Sequence, residues 1–580
     1  MDMIKVKING VEYSVPAGVT VLEACKYANI DIPTLCYLKD INEIGACRLC
    51  LVEVTGARGL VTACVYPAAD GMEIQTNTAK IRAARKTNLE LVLSAHEKKC
   101  LSCIRSTTCE LQKLAQEYKA DEDRFVYGAK DEKVALDTSS VSIIRDNNKC
   151  ILCRRCIGAC NNQGIGAIGA VNRGYDAMVA CAFEKDLAET SCINCGQCIN
   201  ACPVGALYEK DDTQKILDAI GDPTKHVAIC CAPSVRTAIG ECFGYEPGTD
   251  TEGQMVAALK KLGFDGVYDM NFTADLTIME EATEFLGRVK NGGPLPLITS
   301  CSPGWVKYCE HYFPEMTENL STCKSPQQMF GAMYKTYFAE KLGLDPKDIV
   351  FVSAIPCTAK KFEVSRPGQD VDGVPGVDIA VTTRELGRMI EQAGINFRDL
   401  ADEKFDQPID VGSGAGAIFG ATGGVMEAAL RTAAEVIEGK PLEKLEFEDV
   451  RGTEGIKFAA YKLGDIELKV AVASGTANAN KLLKGVQDGT YDVQFIEIMA
   501  CPGGCVNGGG QPTQPASVRN NVDLKALRAS VLYKADAEKL EIRKSHENPI
   551  VKKVYEEFLG EPNSHKAHEL LHTHYVKRGL

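Results

Sequence analysis

Met3 to Ile8 alternates apolar and polar positions, Asn9-Gly10 is a hairpin signal, and Glu12 to Val15 alternates again, so the chain is expected to open on two antiparallel strands. A helix is expected over Val21 to Ala28 and a longer one from about Ala79 to Ala95. From about Lys225 the rhythm changes. Apolar runs at Val227 to Ile229, Leu295 to Thr299, Val350 to Ala354 and Val470 to Ala473 alternate with helical stretches. That alternation predicts α/β layers with parallel strands, in which ligands sit beyond the carboxyl ends of strands. Thr277 to Arg288 reads as a helix with Glu281 and Glu284 one turn apart and Arg288 one turn beyond Glu284. The plainest meaning of such spacing is a solvated, salt-bridged face. No stretch approaches the roughly 20 apolar residues that span a bilayer.

Composition sharpens this picture through cysteine. The 580 residues contain 26 cysteines, mostly in Cys-x-x-Cys groups, and the N-terminus lacks a basic-then-apolar signal region. A secreted disulfide framework is therefore disfavoured, and metal ligation in a reducing cytoplasm is expected. The length allows roughly three to five domains. The formal charge of -13 argues against broad nucleic-acid binding but is compatible with a local basic docking patch.

Cys36, Cys47, Cys50 and Cys64 are spaced x10, x2 and x13. This cysteine-rich loop with a later strand cysteine resembles plant-type ferredoxin and its [2Fe–2S] cluster, with a structural zinc site as the alternative. Cys25, on the expected helix, reads as a small buried residue. His96-x3-Cys100-x2-Cys103-x5-Cys109 supplies four ligands, and spacing alone does not separate zinc from [4Fe–4S]; its place between two ferredoxin-like segments favours the cluster. The run Cys150, Cys153, Cys156, Cys160 is repeated as Cys192, Cys195, Cys198, Cys202 before Pro203. The repeat resembles bacterial two-cluster ferredoxin, in which the fourth cysteine of each run ligates the other cluster. The resemblance implies one set of Cys150, Cys153, Cys156 and Cys202, and another of Cys192, Cys195, Cys198 and Cys160. Asn161 stands where proline is usual after the first run, and Cys181 reads as structural. Residues 1 to about 210 thus read as a wire of four clusters.

Three expected strand ends carry cysteines: Ser300-Cys301-Ser302-Pro303-Gly304-Trp305, Ile355-Pro356-Cys357-Thr358-Ala359-Lys360, and Met499-Ala500-Cys501-Pro502-Gly503-Gly504-Cys505. The last lies in a glycine-dense loop able to wrap a large inorganic cofactor. These loops resemble the three signature motifs of the iron-only ([FeFe]) hydrogenases, and the order of ferredoxin-like segments is similar to that family's long modular members. The tail, with Ser545-His546-Glu547-Asn548-Pro549 and His568-Glu569-Leu570-Leu571-His572, is similar to the family's small-subunit segment. The resemblance implies an H-cluster, a [4Fe–4S] cubane bridged to a diiron centre with CO, cyanide and dithiolate ligands. It implies Cys357 and Cys501 as cubane ligands, Cys505 as the bridge, and Lys360 as hydrogen-bond donor to a cyanide. It further implies Ser234, Gln327, Met499 and Phe419 around the diiron unit, and a proton relay of Cys301, Glu281, Ser321, Glu284 and Arg288. Ordinary core packing is the alternative for Phe419 and Met499.

Two positions depart from the family. Its first motif has adjacent cysteines before Pro-Gly-Trp, the first a proton donor and the second a cubane ligand; here Ser302 holds the ligand position. A serine hydroxyl is a weaker acid and a harder donor than a thiol. Ile355 replaces a methionine beside the diiron unit. These changes admit a second reading, a hydrogenase-like electron-transfer or H2-sensing subunit with little turnover. Gly414 to Gly420 misses the Gly-x-Gly-x-x-Gly spacing by one residue, so nicotinamide binding on this chain is not expected.

The expected fold is multidomain α+β and α/β: a plant-type ferredoxin-like domain (1–80), a cluster module with one histidine and three cysteines (81–140), a two-cluster ferredoxin-like domain (141–210), a large α/β active-site domain (211–515) and a small-subunit-like segment (516–580). One [2Fe–2S] and three [4Fe–4S] accessory clusters, a ferredoxin or flavin/NAD(P)-binding partner, H2 and protons as substrates, and dedicated maturation proteins follow from the resemblance.

Overall fold

The computed structural model describes residues 2–125, 133–442, 444–453, 455–463 and 466–579. The N-terminal alternation forms the strands Met3–Ile8 and Val11–Pro16, paired antiparallel across Asn9-Gly10. They belong to a five-stranded sheet in which Met3–Ile8 also pairs parallel with Met72–Gln75. The helix Val21–Tyr27 starts at a capping box between Thr20 and Glu23, and Cys25 is fully buried on it. The helix Ala79–Ser94, capped by Thr78, leads to the His96 segment.

The twin cysteine runs fold alike. Leu152 and Arg154 in the first, and Asn194 and Gly196 in the second, take left-handed backbone angles at equivalent positions. Two left-handed residues in each run curl Cys-x-x-Cys-x-x-Cys into a concave loop, and a helix follows, Arg155–Asn162 or Gln197–Ala201. Cys181 is buried and accepts from Arg145 Nη1 at 3.7 Å.

The apolar runs after residue 225 form two four-stranded sheets rather than one. The first is wholly parallel and contains His226–Cys231, Gly266–Asp269, Ile349–Ala354 and Ile379–Val381. The second holds Leu297–Ile298, Phe495–Met499 and Ile466–Ser474 in parallel, with Ile456–Leu463 antiparallel at its edge. The expected strand over Leu295 to Thr299 is shortened to two residues.

The helix Asn271–Asn291 lies between these sheets. It buries Phe272, Leu276 and Phe285, and Glu281, which amphipathic spacing places on a solvated face, is 1% exposed. The helices Gly414–Ile418 and Gly424–Glu438 pack against it. The glycines at 412 and 416 serve this packing, since a Cβ there would collide with Asn271, while one on Gly414 would strike Asp536 of the C-terminal segment.

The C-terminal segment, with the helices Leu524–Lys534, Pro549–Val554 and His565–Leu571, folds back over the same helix. Asp275 is its anchor, accepting from Ser413 N (2.9 Å), Ser545 Oγ (2.7 Å) and Asn548 Nδ2 (2.9 Å). Among the described residues, no helix is long and apolar enough to cross a membrane.

Candidate active site

Three strand ends deliver the cysteines, but from different sheets. Leu297–Ile298 and Phe495–Met499 are parallel neighbours in one, and Ile349–Ala354 belongs to the other. The seam between the sheets opens into a cavity lined by Cys301, Ser302, Cys357, Cys501 and Cys505. Ser234, Gln327, Lys360, Phe419 and Met499 line it as well, so side chains from distant parts of the chain meet there.

The walls are dry and the polar groups are few. Lys360 Nζ donates to Ser325 Oγ (2.7 Å) and Glu363 Oε2 (2.9 Å), and Gln327 Nε2 donates to the same carboxylate at 3.1 Å. Ser234 Oγ and Gln327 Oε1 are buried without a partner. Such orphaned atoms are costly unless a bound group satisfies them. Burial pushes the Cys505 thiol up to about 12 and the Cys501 and Cys301 thiols well above their ordinary value. Thiols so placed become thiolates when soft cations offset the desolvation. A Cβ on Gly420 would strike Ser234 Oγ, and one on Gly504, at φ +94°, would strike the backbone of Thr422. Four strand-end thiols, one buried ammonium, unpaired polar atoms and a glycine cradle fit an iron–sulfur group carrying small anionic ligands.

Ser302 Oγ accepts from Ala500 N at 3.3 Å, which ties the head of the helix Pro303–Tyr312 to the cysteine loop. Ile355 also lines the cavity.

The relay candidates lead outward from this point. Glu281 Oε2 is buried without a partner, and the Ser321 hydroxyl and Ser300 backbone face the same carboxyl. Burial, then the nearby Glu284 charge, raises Glu281 to about 8. Ser321 Oγ donates to Glu284 Oε2 at 2.9 Å, and Arg288 Nη2 donates to Glu284 Oε1 at 2.6 Å. Arg288 Nη1 reaches the carbonyls of Pro294 and Glu318 at the surface.

On the opposite wall stands Cys195, from the second cysteine run. Thr358 Oγ1 donates to Asn194 O (2.6 Å), Gln197 Nε2 to Asn507 O (2.9 Å) and Asn200 Nδ2 to Gly508 O (3.0 Å). A side chain on Gly509 would collide with Cys195 O, so the glycine run allows the cavity loop to press against the cysteine run.

Farther out, Cys150, Cys153, Cys156 and Cys202 line one small cavity, while Cys160 lies within electrostatic reach of Cys192, Cys195 and Cys198. The thiols of Cys36, Cys47 and Cys50 all act on Cys64, and the Cys50 and Cys64 sulfurs are 3.2 Å apart. His96 Nδ1 is buried without a partner; the Cys103 thiol lies within electrostatic reach of Cys109, and Cys100 is exposed. The sites do not form a single file. Asn42 Nδ2 donates to both Cys36 O (2.8 Å) and Cys153 O (3.0 Å), while Glu110 N donates to Pro203 O (3.1 Å) and Cys103 abuts Gly205. Two branches therefore converge on the Cys150–Cys202 group.

Sequence reasoning missed Glu363, although it lies one turn after Lys360, and Gln511, whose Nε2 donates to Ser234 O at 2.8 Å. It also missed Glu497, whose carboxylate accepts from Gly423 N (2.6 Å) and Met426 N (2.7 Å).

Comparison with known proteins agrees with this geometry. Residues 225–509 match the family profile of the iron only hydrogenase large subunit, C-terminal domain, and 522–578 that of the iron hydrogenase small subunit. Residues 1–79 match a 2Fe-2S iron-sulfur cluster binding domain, 85–124 the NADH-ubiquinone oxidoreductase-G iron-sulfur binding region, and 149–213 a 4Fe-4S dicluster domain. The chain is 50% identical over the whole of both proteins to the NADP-reducing hydrogenase subunit HndD of Solidesulfovibrio fructosivorans. It is 45% identical to iron hydrogenase 1 of Clostridium pasteurianum, over 98% of this chain and 99% of that one. A solved apo [FeFe]-hydrogenase from Chlamydomonas reinhardtii superposes with a TM-score of 0.57 at 44% identity, covering 64% of this chain and all of the other.

Proposed function

The chain belongs to the iron-only ([FeFe]) hydrogenase family and interconverts protons plus electrons with H2; from that premise we propose which of its residues carry the reaction and how electrons arrive. The observation that supports the assignment is the dry cavity between the sheets, where thiols, Lys360 and orphaned polar atoms face one another beside a buried carboxyl that leads to the surface. When bound there, the H-cluster supplies the redox-active iron at which electrons and protons combine. Cys357 and Cys501 would hold its cubane, Cys505 would link it to the diiron unit, and Lys360, fixed by Ser325 and Glu363, would donate a charge-assisted hydrogen bond to a cyanide. Ser234 and Gln327 offer their unpaired oxygens, and Phe419 and Met499 exclude water. Ser302 stands where the fourth cubane ligand belongs.

Protons travel by the opposite wall. Cys301 exchanges a proton at the cavity, Glu281 holds one in its neutral form below about pH 8, and Ser321 passes it to Glu284, which Arg288 steadies at the outer end. A carboxyl whose proton affinity is raised toward the working pH suits a relay. Electrons enter through one [2Fe–2S] and three [4Fe–4S] clusters and reach the cavity past Cys195. Because a relative matched over the whole of both chains is named NADP-reducing, a flavin/NAD(P)-binding subunit is the favoured partner, with ferredoxin as the other, in the cytoplasm. Insertion of the diiron unit requires maturation proteins.

The test is H2 evolution from reduced methyl viologen by anaerobically matured protein, with an infrared spectrum of metal-bound CO and cyanide. Turnover with those bands upholds the assignment. Bands without turnover, regained in Ser302→Cys, would place the block at the cubane; absence of both in a maturation system proven on a relative would overturn the reading.

A further inference from the structure

Away from the iron sites, the C-terminal segment crosses the proton path, and a second set of metal-ligating side chains meets there. Glu284, Cys323 and His572 each offer one ligand atom, all within 4.8 Å of one another. Cys323 is 1% exposed and its thiol points at Glu284 Oε2, 3.7 Å away. The His572 ring is held from both sides: Nε2 lies 3.1 Å from Glu280 Oε2, and Nδ1 lies 2.7 Å from Thr322 Oγ1. Glu280, fully buried, is fixed in turn by the Tyr555 hydroxyl (2.5 Å) and Asn563 N (2.8 Å).

One ring nitrogen on an anchored carboxylate is the support a metal-binding histidine has elsewhere. The partner of Nδ1 is a rotatable hydroxyl that can turn aside. The carboxylates of Glu280 and Glu284 face Cys323 together with the neutral Glu281 carboxyl, and Arg288 offsets the Glu284 charge from the far side. The exposed His568 ring lies one helical turn before His572, with the ring centroids 4.1 Å apart.

The donor set selects the ion. Calcium and magnesium require oxygen ligands, whereas one thiolate, one imidazole and one carboxylate suit a tetrahedral zinc with its fourth position open to water. We propose that Glu284, Cys323 and His572 form a zinc site, and that zinc bound there arrests proton transfer by taking Glu284 out of the relay. On binding, the Cys323 thiol proton is released to solvent, the zinc–sulfur bond forms, and no electron is transferred. The site itself stands on geometry; the arrest rests on the relay role given to Glu284.

The test titrates zinc chloride into the matured holoenzyme. Equilibrium dialysis against buffered zinc is expected to show one tightly held zinc per chain, and zinc-edge X-ray absorption one sulfur at about 2.3 Å with nitrogen and oxygen at about 2.0 Å. H2 evolution is expected to fall in step with occupancy and return on adding EDTA. Cys323→Ala and His572→Gln should each raise the zinc needed about tenfold or more, while Cys309→Ala, a buried thiol elsewhere, should not. Equal zinc binding by all three variants, or a first shell of several sulfurs, would overturn the site, and a correctly ligated zinc that leaves turnover unchanged would overturn the arrest. Loss of turnover before zinc is added would speak to the relay assignment, and the zinc edge would still decide the site.

Discussion

Glu281 is the residue through which pH acts most directly on this site. Its folded proton affinity, near 8, lies above the ordinary carboxyl range because burial and Glu284 disfavour its charge. A group raised in this way contributes stability below its ordinary value, and that contribution is lost as pH rises toward and through about 8. Wild-type protein should therefore lose melting temperature relative to Glu281→Gln between about pH 5 and pH 8, measured by paired thermal scans. The same substitution should lower H2 evolution about a hundredfold or more while the infrared bands persist, since an amide does not relay the proton.

Lys307 is a second informative residue. It is 8% exposed, its ammonium sits 4.5 Å over the Phe362 ring, and burial lowers its proton affinity while Cys192 and Glu310 act to raise it. If Cys192 holds a cluster as proposed, a buried cation beside it favours the reduced form. Lys307→Met should lower the midpoint potential of the cluster assigned to Cys192, read by an EPR redox titration.

At the scale of elements, the cavity depends on strand ends held at fixed depth. Glu497, in the last strand before Cys501, caps the helix Gly424–Glu438 by accepting two of its first amides. Glu497→Ala leaves both buried donors unpaired and should cost about 2 kcal/mol or more, measured by denaturant unfolding. The strand-end cysteines were legible in the sequence because apolar runs bounded by glycine and proline mark strands, and parallel strands present ligands at their carboxyl ends. The division into two sheets was not, because pairing partners such as Leu297 and Phe495 lie about 200 residues apart and either sheet would give the same local pattern. The relay helix was legible as a helix. Its burial was not, because charged spacing alone reads as a solvated face until the C-terminal segment is seen to cover it.

For the whole molecule, the C-terminal segment is structural support for the cavity rather than an appendage. Arg431, fully buried, bonds Asp536 through both Nη atoms at 2.8 Å and Glu427 at 2.7 Å. Asp536→Ala removes one partner of a buried ion network and should cost about 3 kcal/mol or more, seen as a lower denaturation midpoint. The forked arrangement of the accessory sites is likewise a property of the assembled molecule, since Asn42 and Glu110 reach the same group from separate segments. The sequence alone determined the cysteine and histidine spacing within each loop, the family, and the presence of Ser302 beside Cys301, because these are local and chemical. Tertiary structure decided which thiols share a cavity, that Glu363 rather than solvent holds Lys360, that Glu281 is buried enough to keep its proton near neutral pH, and that His572 and Cys323 meet beside Glu284. Each of those depends on contacts between distant segments, which burial and packing select and local pattern does not encode.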